Sequence, residues 1–494
     1  VKIPLRCLFI ALMLMGISSI TAEIRALWVT PWGITTPEAI DEVISDAVTS
    51  GQTDLLVEVR YRSDALYTPN LHFKDYPNNE PRSHVLKDDS FDPLAYVLEN
   101  AKAKHLRVHA WVVVFNATPT LPSLVEDNYI YKNHYDWITY DAKQRRMNSS
   151  EAFGYFVDPG IPAVQDYVLD VLSDLVQNYP ELDGLHLDYI RYPSSAWGYH
   201  PISQQRYENH RVQYGPLSWN EWRTLQITGF VERCYHRVKE INPRILLSAA
   251  VFSDYKAAVR YYAQDWKDWL DKGIIDCIYL MAYSTKYATF VEQLSELKEF
   301  EEDERIVVGL RAWDQNNGSL LPSNRRAYHG YTILDIARRI SYVREQEFAG
   351  IALFNHGGLK QGNAWDELMQ MSYTPELLLE IDSRDPQFSI DISPEELGDK
   401  FAADIKISPN GRQYILGLLI PHEGIWTWEL WDTSDQLLFS CSRHYPKGRV
   451  SDVWNGKTQA DTCVEAGKYV IRMYPENSNY KYYIPIELRG INQR

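Results

Sequence analysis

Cysteine is scarce in this 494-residue chain, with five in all, and no Cys or His spacing resembles a structural zinc site. No glycine-rich fingerprint follows the first predicted strand, which removes a dinucleotide-binding crevice, and no cofactor is implied. Positive charge is in deficit, 50 Lys and Arg against 66 Asp and Glu for a formal net charge of −16. That balance repels phosphate backbones and excludes nucleic acid as a partner. No apolar run of about 20 residues follows the N-terminal segment, so no membrane span is expected. Internal repeats and low-complexity tracts are missing as well. What the chain has in quantity is aromatic rings, 15 Trp and 34 Tyr. Flat rings with a polar edge suit sugar faces and core packing alike.

The first residues, VKIPLRCLFIALMLMGISSITAEIR, place Lys2 and Arg6 ahead of a short apolar run and small residues before Ala22. This reads as a secretory signal over residues 1–22, and a secreted or periplasmic location is expected. Cys7 then belongs to the signal. In an oxidising compartment Cys441 and Cys463, in the same C-terminal region, are expected to bridge, and Cys234 and Cys277 to stay buried thiols.

Eight apolar, β-branched runs recur between residues 24 and 356, at 24–30, 53–60, 107–115, 182–190, 244–252, 277–283, 305–313 and 350–356. Helical periodicity fills the intervals. Thr35 with Glu38 and Pro37 marks one helix start, and Gly51 and Gly273 mark stops. This alternation predicts an α/β fold, a (β/α)8 TIM-type barrel over residues 23–375 whose strand-end loops build the site. Beyond it, alternating runs such as YILGLLI and WTWELWD predict a small antiparallel β-sandwich over 391–494, joined through a linker at 376–390. Structural support is the favoured role of that domain, ahead of substrate binding or surface attachment.

Strand alternation selects the inward residues. His186 and Asp188 share a face in the fourth run, Glu58 and Arg60 in the second, and His109 and Trp111 in the third. Tyr279, Met281 and Tyr283 align in the sixth, and Leu353 and Asn355 in the eighth. Asp188, Arg60, Tyr283 and Asn355 fall near carboxyl ends, where a ligand can reach them. A carboxylate in a water-poor cleft can have its pKa tuned for proton transfer, or face a developing oxocarbenium charge. Arg60 reads as an anchor, and Glu58, one pleat deeper, as its structural partner. Candidates for a second catalytic carboxylate are Asp254, Asp314 and Asp64, in that order. Trp32, Trp111, His186 and Trp313 complete the expected substrate-binding set with Arg60, Asp64, Tyr283 and Asn355. The long loops 116–157 and 191–218 add Tyr129, Tyr131, Tyr135, Trp137, Trp197 and Tyr199 as wall candidates.

EIRALWVT, VRYRSDALYTP, FVDPGIPAVQDYV and DGLHLDYIRYP together resemble the bacterial glycosyl hydrolase-like 10 (DUF187) family over residues 23–375. The resemblance implies a (β/α)8 hydrolase of bacterial envelopes, similar to enzymes that cut peptidoglycan glycan strands, with Asp188, Arg60 and Asp64 as matching positions. Two departures stand out. Many members carry two successive Asp residues where this chain has Asp188 and Tyr189, and members often carry an amide at Glu58, which argues against an indispensable acid there. The fourth run is also distantly similar to the chitinase DGxDxDxE motif, and YLMAYS to that family's MxYD. Ile190 and Arg191 occupy the place of the proton-donating Glu, so an acetamido-assisted mechanism is not carried over.

The expectation is therefore a glycoside hydrolase acting on a polysaccharide, with peptidoglycan first. Two other classes stay open. A carbohydrate-binding barrel would bind without turnover, and a metal-dependent hydrolase would use His186 and Asp188 with His109 and His356, although the paired His residues expected on a first strand are missing.

Overall fold

The structure is a computed structural model. It describes residues 23–313 apart from 121, residues 333–361, and the C-terminal segments 405–407, 414–420, 423–432, 434, 436–445, 448–460, 462–475 and 482–488. The expected signal and linker lie outside the described residues.

Eight parallel strands close into a barrel in sequence order: β1 (Ile24–Val29), β2 (Asp54–Arg60), β3 (Arg107–Val113), β4 (Gly184–Asp188), β5 (Leu246–Phe252), β6 (Cys277–Met281), β7 (Ile306–Arg311) and β8 (Gly350–Phe354). Every expected strand is present, and β8 returns to β1 with Ile24 opposite Gly350. Helices lie between them, including Pro37–Thr49, Pro93–Lys102, Pro162–Asn178, Trp219–Ile241 and Ile333–Glu345. The first starts at Thr36 rather than Thr35. The Thr36 side chain accepts from the Ala39 amide at 3.3 Å, and Pro37 follows with a missing donor that costs nothing at that position. Gly51 and Gly273 both adopt φ of +64° just past helix ends, as the stop signals require.

Two apolar layers hold the barrel. Outward strand residues such as Leu27, Val57, Val112, Leu185 and Leu187 pack on the helices in one continuous core. A smaller cluster fills the lumen: Ala26, Trp28, Leu56, Trp111, Tyr279, Val307 and Ala352. Trp28 is large enough to plug the barrel because β7 offers Gly309 opposite it, where an added Cβ would meet the indole at 2.9 Å.

In the C-terminal region, β9 (Ile405–Ile407), β10 (Tyr414–Ile420) and β13 (Gly448–Trp454) form a three-stranded antiparallel sheet in the order β13-β10-β9. A four-stranded sheet follows, β12-β11-β14-β15, from β11 (Gly424–Trp431), β12 (Leu437–Tyr445), β14 (Gly467–Pro475) and β15 (Tyr482–Leu488). Leu416, Leu418 and Trp454 from the first sheet share one core with Trp426, Trp428, Ile471 and Met473 from the second, the packing of a sandwich.

The expected Cys441–Cys463 bridge is not formed. Cys441 turns its Sγ toward Asp452 Oδ2 at 4.0 Å, while Cys463 is exposed on the stretch that pairs with Lys457. Cys234 is a buried free thiol, as expected, and Cys277 is free and half-buried.

Candidate active site

At the mouth of the barrel, β4 ends on Asp188. Its Oδ2 accepts from Trp111 Nε1 of β3 at 3.2 Å, and its Oδ1 accepts from the Tyr189 amide at 2.6 Å. Burial raises the Asp188 pKa, while Arg191, the two N–H donors and Arg62 oppose that rise. Trp111 is thereby a positioning group for Asp188. Tyr283, just past β6, faces the same carboxylate and rests against Phe354 at 5.4 Å between ring centroids. Burial, then the Asp188 charge, pushes its phenol well above the usual value.

The group that sequence reasoning misjudged is Glu58. It is not the partner of Arg60. Its Cα is paired with Trp111, which is paired with His186, so Glu58 points into the lumen two strands from Asp188 and one pleat lower. Two strand spacings amount to about 10 Å between backbones, and the inward side chains shorten that gap. Burial drives the Glu58 pKa well above the carboxylate range; Arg62 opposes the rise, and Asp188 and Asp64 add to it. Among the described residues no side chain or amide donates a hydrogen bond to its carboxyl. Two carboxyl groups with raised pKa thus share the mouth, Asp188 with two N–H donors and Glu58 with none.

Arg60 is turned away from this site by a break in strand alternation. The β2–β3 register shifts between Glu58 and Arg60, so that Arg60 pairs with Val112, a residue of the outer core, rather than with an inward position. Its guanidinium is 1% exposed and fully engaged, with Glu80 at 2.5 Å, Ser63 Oγ at 3.1 Å and the Val114 carbonyl at 3.1 Å, besides the Val113 carbonyl. It anchors the loop after β2 and has no donor left for a substrate, which corrects the expectation.

The same loop makes a tight turn at Arg62 and Ser63, both left-handed at φ of 58° and 62°, closed by Tyr61 N donating to the Asp64 carbonyl at 3.1 Å. Asp64 follows, buried, and its Oδ2 meets His84 Nδ1 at 3.1 Å. Burial raises Asp64, and the hydrogen bond to Asp64 raises His84.

Other expected residues lie elsewhere. Asp254 is exposed and caps helix Tyr255–Tyr262, accepting from the Ala257 amide at 2.8 Å. Asp254→Ala is therefore expected to cost about 1 kcal/mol in a thermal melt, the usual worth of an N-cap, and to leave turnover within about threefold of wild type. A collapse of turnover would return Asp254 to the site. His186 is fully buried one layer below Asp188, bonded to Trp28 Nε1 at 3.3 Å and Ser248 Oγ at 2.9 Å. Burial, reinforced by His109, lowers its pKa well below the usual value, so it is a neutral core residue rather than a substrate contact. In β8 the phase is opposite to that expected: Ala352 and Phe354 face the lumen and Leu353 faces the helices. Asn355, past the strand end, turns its Oδ1 back to the Gly358 amide at 3.0 Å. Trp313 lies under the Arg311 guanidinium at 3.7 Å, and Asp314 lies outside the described residues. Trp32 is 62% exposed at the rim, edge-on to Tyr61. Of the loop aromatics, Trp197 is buried, Tyr199 stacks on Trp219, and Tyr131 and Tyr135 pack on Tyr155.

The four residues of the metal-dependent reading are dispersed. His109 is bonded to Asp54 at 2.9 Å at the opposite end of the barrel, and His356 to Asp46 at 2.9 Å outside it. Among the described residues no group of three His, Cys, Asp or Glu side chains is placed to hold a metal ion. No helix among them is long and apolar enough to cross a membrane.

The family model described as "Glycosyl hydrolase-like 10" matches residues 23–314. Glycosyl hydrolase YngK of Bacillus subtilis (strain 168) is 25% identical over 289 residues, 52% of this chain and 53% of the relative. Glycosyl hydrolase DigH of Escherichia coli (strain K12) is 26% identical over 219 residues, 39% of this chain and 46% of the relative. The chain thus spans about half the length of the curated relatives it matches. Among solved structures, the endo-beta-1,4-mannanase from Thermotoga petrophila superposes with a TM-score of 0.49 at 11% identity, covering 96% of this chain and 99% of that one.

Proposed function

This chain belongs to the glycosyl hydrolase-like 10 family, and on that premise we propose that it hydrolyses O-glycosidic bonds of an extracytoplasmic polysaccharide, peptidoglycan glycan strands first, with Glu58 and Asp188 as the reacting pair. The observation that carries the reading is the unequal environment of two carboxyl groups at one barrel mouth. Glycosidic cleavage needs one group that gives a proton to the leaving oxygen and one that stays ionised near the developing positive charge. Glu58, without hydrogen-bond donors and raised by burial, suits the first role. Asp188, with two N–H donors and two nearby guanidinium groups, suits the second. Tyr283 beside Asp188 supplies a hydroxyl for that carboxylate or for a sugar, and Trp32 offers an exposed ring at the rim.

Peptidoglycan comes from the family resemblance, and export from the basic, apolar and small-residue order of the first 22 residues. The test is release of reducing ends by purified protein from peptidoglycan, chitin-type and plant polysaccharides, with and without chelator. Chelator-insensitive release from peptidoglycan strands is the expected result. Binding without release from any of them would favour a carbohydrate-binding barrel and overturn hydrolysis. Protein recovered outside the inner membrane of a bacterial host is expected to begin near Glu23, and a mass that retains residues 1–22 would overturn processing.

A further inference from the structure

Rings and guanidinium groups cross the mouth in an unbroken series of contacts. Trp32 meets Tyr61 at 5.8 Å, Arg62 lies 5.4 Å from Tyr61 and 5.4 Å from Tyr189, and Arg191 lies 4.6 Å from Tyr189 and 4.8 Å from Phe252. Phe252 then stacks on Tyr262 at 4.2 Å. Rings at this spacing can stack on sugar faces, and the two guanidinium groups among them add fixed positive charge that a neutral sugar does not balance.

Neither cation is used by the protein in the way its other buried arginines are. Arg60 holds Glu80, and Arg223 holds the carbonyls of Ser194 and Trp197. Arg62 and Arg191 are half-buried, and among the described residues neither forms an ion pair. Nε and Nη1 of Arg62 and Nε of Arg191 are buried with no hydrogen-bond acceptor. Asp188 accepts from Trp111 and from the Tyr189 amide, and among the described residues no hydrogen bond joins it to either guanidinium. A buried donor without an acceptor is costly, and a guanidinium fork matches the paired oxygens of a carboxylate. The local charge points the same way. Both guanidinium groups act on Asp188, so positive charge is gathered at the mouth of a chain whose net charge is −16.

We infer that Arg62 and Arg191 form a subsite that reads a free carboxylate on the substrate, so that the enzyme selects acidic glycans over neutral ones. This rests on the hydrolase reading of the same mouth. The carboxylate belongs to one of two sources, a uronic acid ring or a lactyl ether on an amino sugar, and the two share the recognition chemistry. Neither source requires a change in the placement of Glu58 and Asp188.

The test uses matched pairs that differ only in the carboxyl group. Peptidoglycan strands freed of stem peptides are compared with the same strands amidated through carbodiimide, and polygalacturonate with its methyl ester. Binding is measured by calorimetry and turnover by reducing ends, each on wild type, Arg62→Gln and Arg191→Gln, with a thermal melt of every variant. For one of the two sources, wild type is expected to prefer the free acid by about 10- to 100-fold in Kd or kcat/KM, as for a charge-assisted pair. Each variant is expected to bring that ratio close to one, and Arg→Lys to restore part of it. The wild-type arm needs no variant, so misfolding of a variant leaves the test intact. Equal cleavage of acid and neutralised forms would overturn the subsite while hydrolysis stands. Arginine-dependent binding of the acid form without cleavage would keep the subsite and overturn hydrolysis.

Discussion

Replacing Asp188 by Asn is expected to lower turnover on a cleaved glycan by about 100- to 10,000-fold, the range for loss of a group acting directly on the reacting atoms. The fold is expected to survive. Asn keeps an oxygen to accept from Trp111 or from the Tyr189 amide, and among the described residues Asp188 makes no direct ion pair for the substitution to break. That separates this carboxylate from a structural one: breaking a buried ion pair costs about 3 to 5 kcal/mol, which a melt would register before any assay did. The expected signature is thus a nearly unchanged melting temperature with turnover almost gone. Near-normal specific activity of the folded variant would remove Asp188 from the chemistry. A large fall in melting temperature with retained activity would make it a structural residue.

Glu58→Gln is expected to be as damaging, for a different reason and with a different pattern. If Glu58 gives the proton to the leaving oxygen, unactivated glycans should lose about 100- to 10,000-fold in rate. An aryl glycoside, whose leaving group departs without a proton, should lose far less. The alkaline limb of the pH–rate profile, which reports ionisation of the acid, should flatten. Stability gives an independent reading. The folded-state pKa of Glu58 is raised above its unfolded value, so its contribution to stability is fully present below the ordinary carboxylate range and is lost as pH rises through the raised value. Wild type should therefore lose stability relative to Glu58→Gln across that window. Equal rate losses on glycan and aryl glycoside would argue against Glu58 as the proton donor, and parallel stability curves against its raised pKa.

The sequence by itself determined the barrel, the order of its strands and the height of Asp188 in it. These follow from local chemistry: apolar runs of strand length, helical periodicity between them, and a two-residue alternation that sets which side chains turn inward. Asp188, His186, Trp111 and Tyr279 obey that alternation. Tertiary structure decided where it fails and who meets whom. A register shift beside Glu58 sent Arg60 outward to Glu80, and no propensity in VEVRYRS announces an irregular pairing with β3. The phase of β8 was misjudged because Leu353 is equally apolar facing helices or lumen, and closure against β1 decides between them. Asp254 falls just after a strand, as a catalytic carboxylate would, but the helix that begins one residue later claims it as a cap. Glu58 gained its partner from curvature alone. Asp188 is 130 positions later in the chain, and only a closed barrel, with Trp111 between them, turns two distant carboxyls toward one another in a place poor in water.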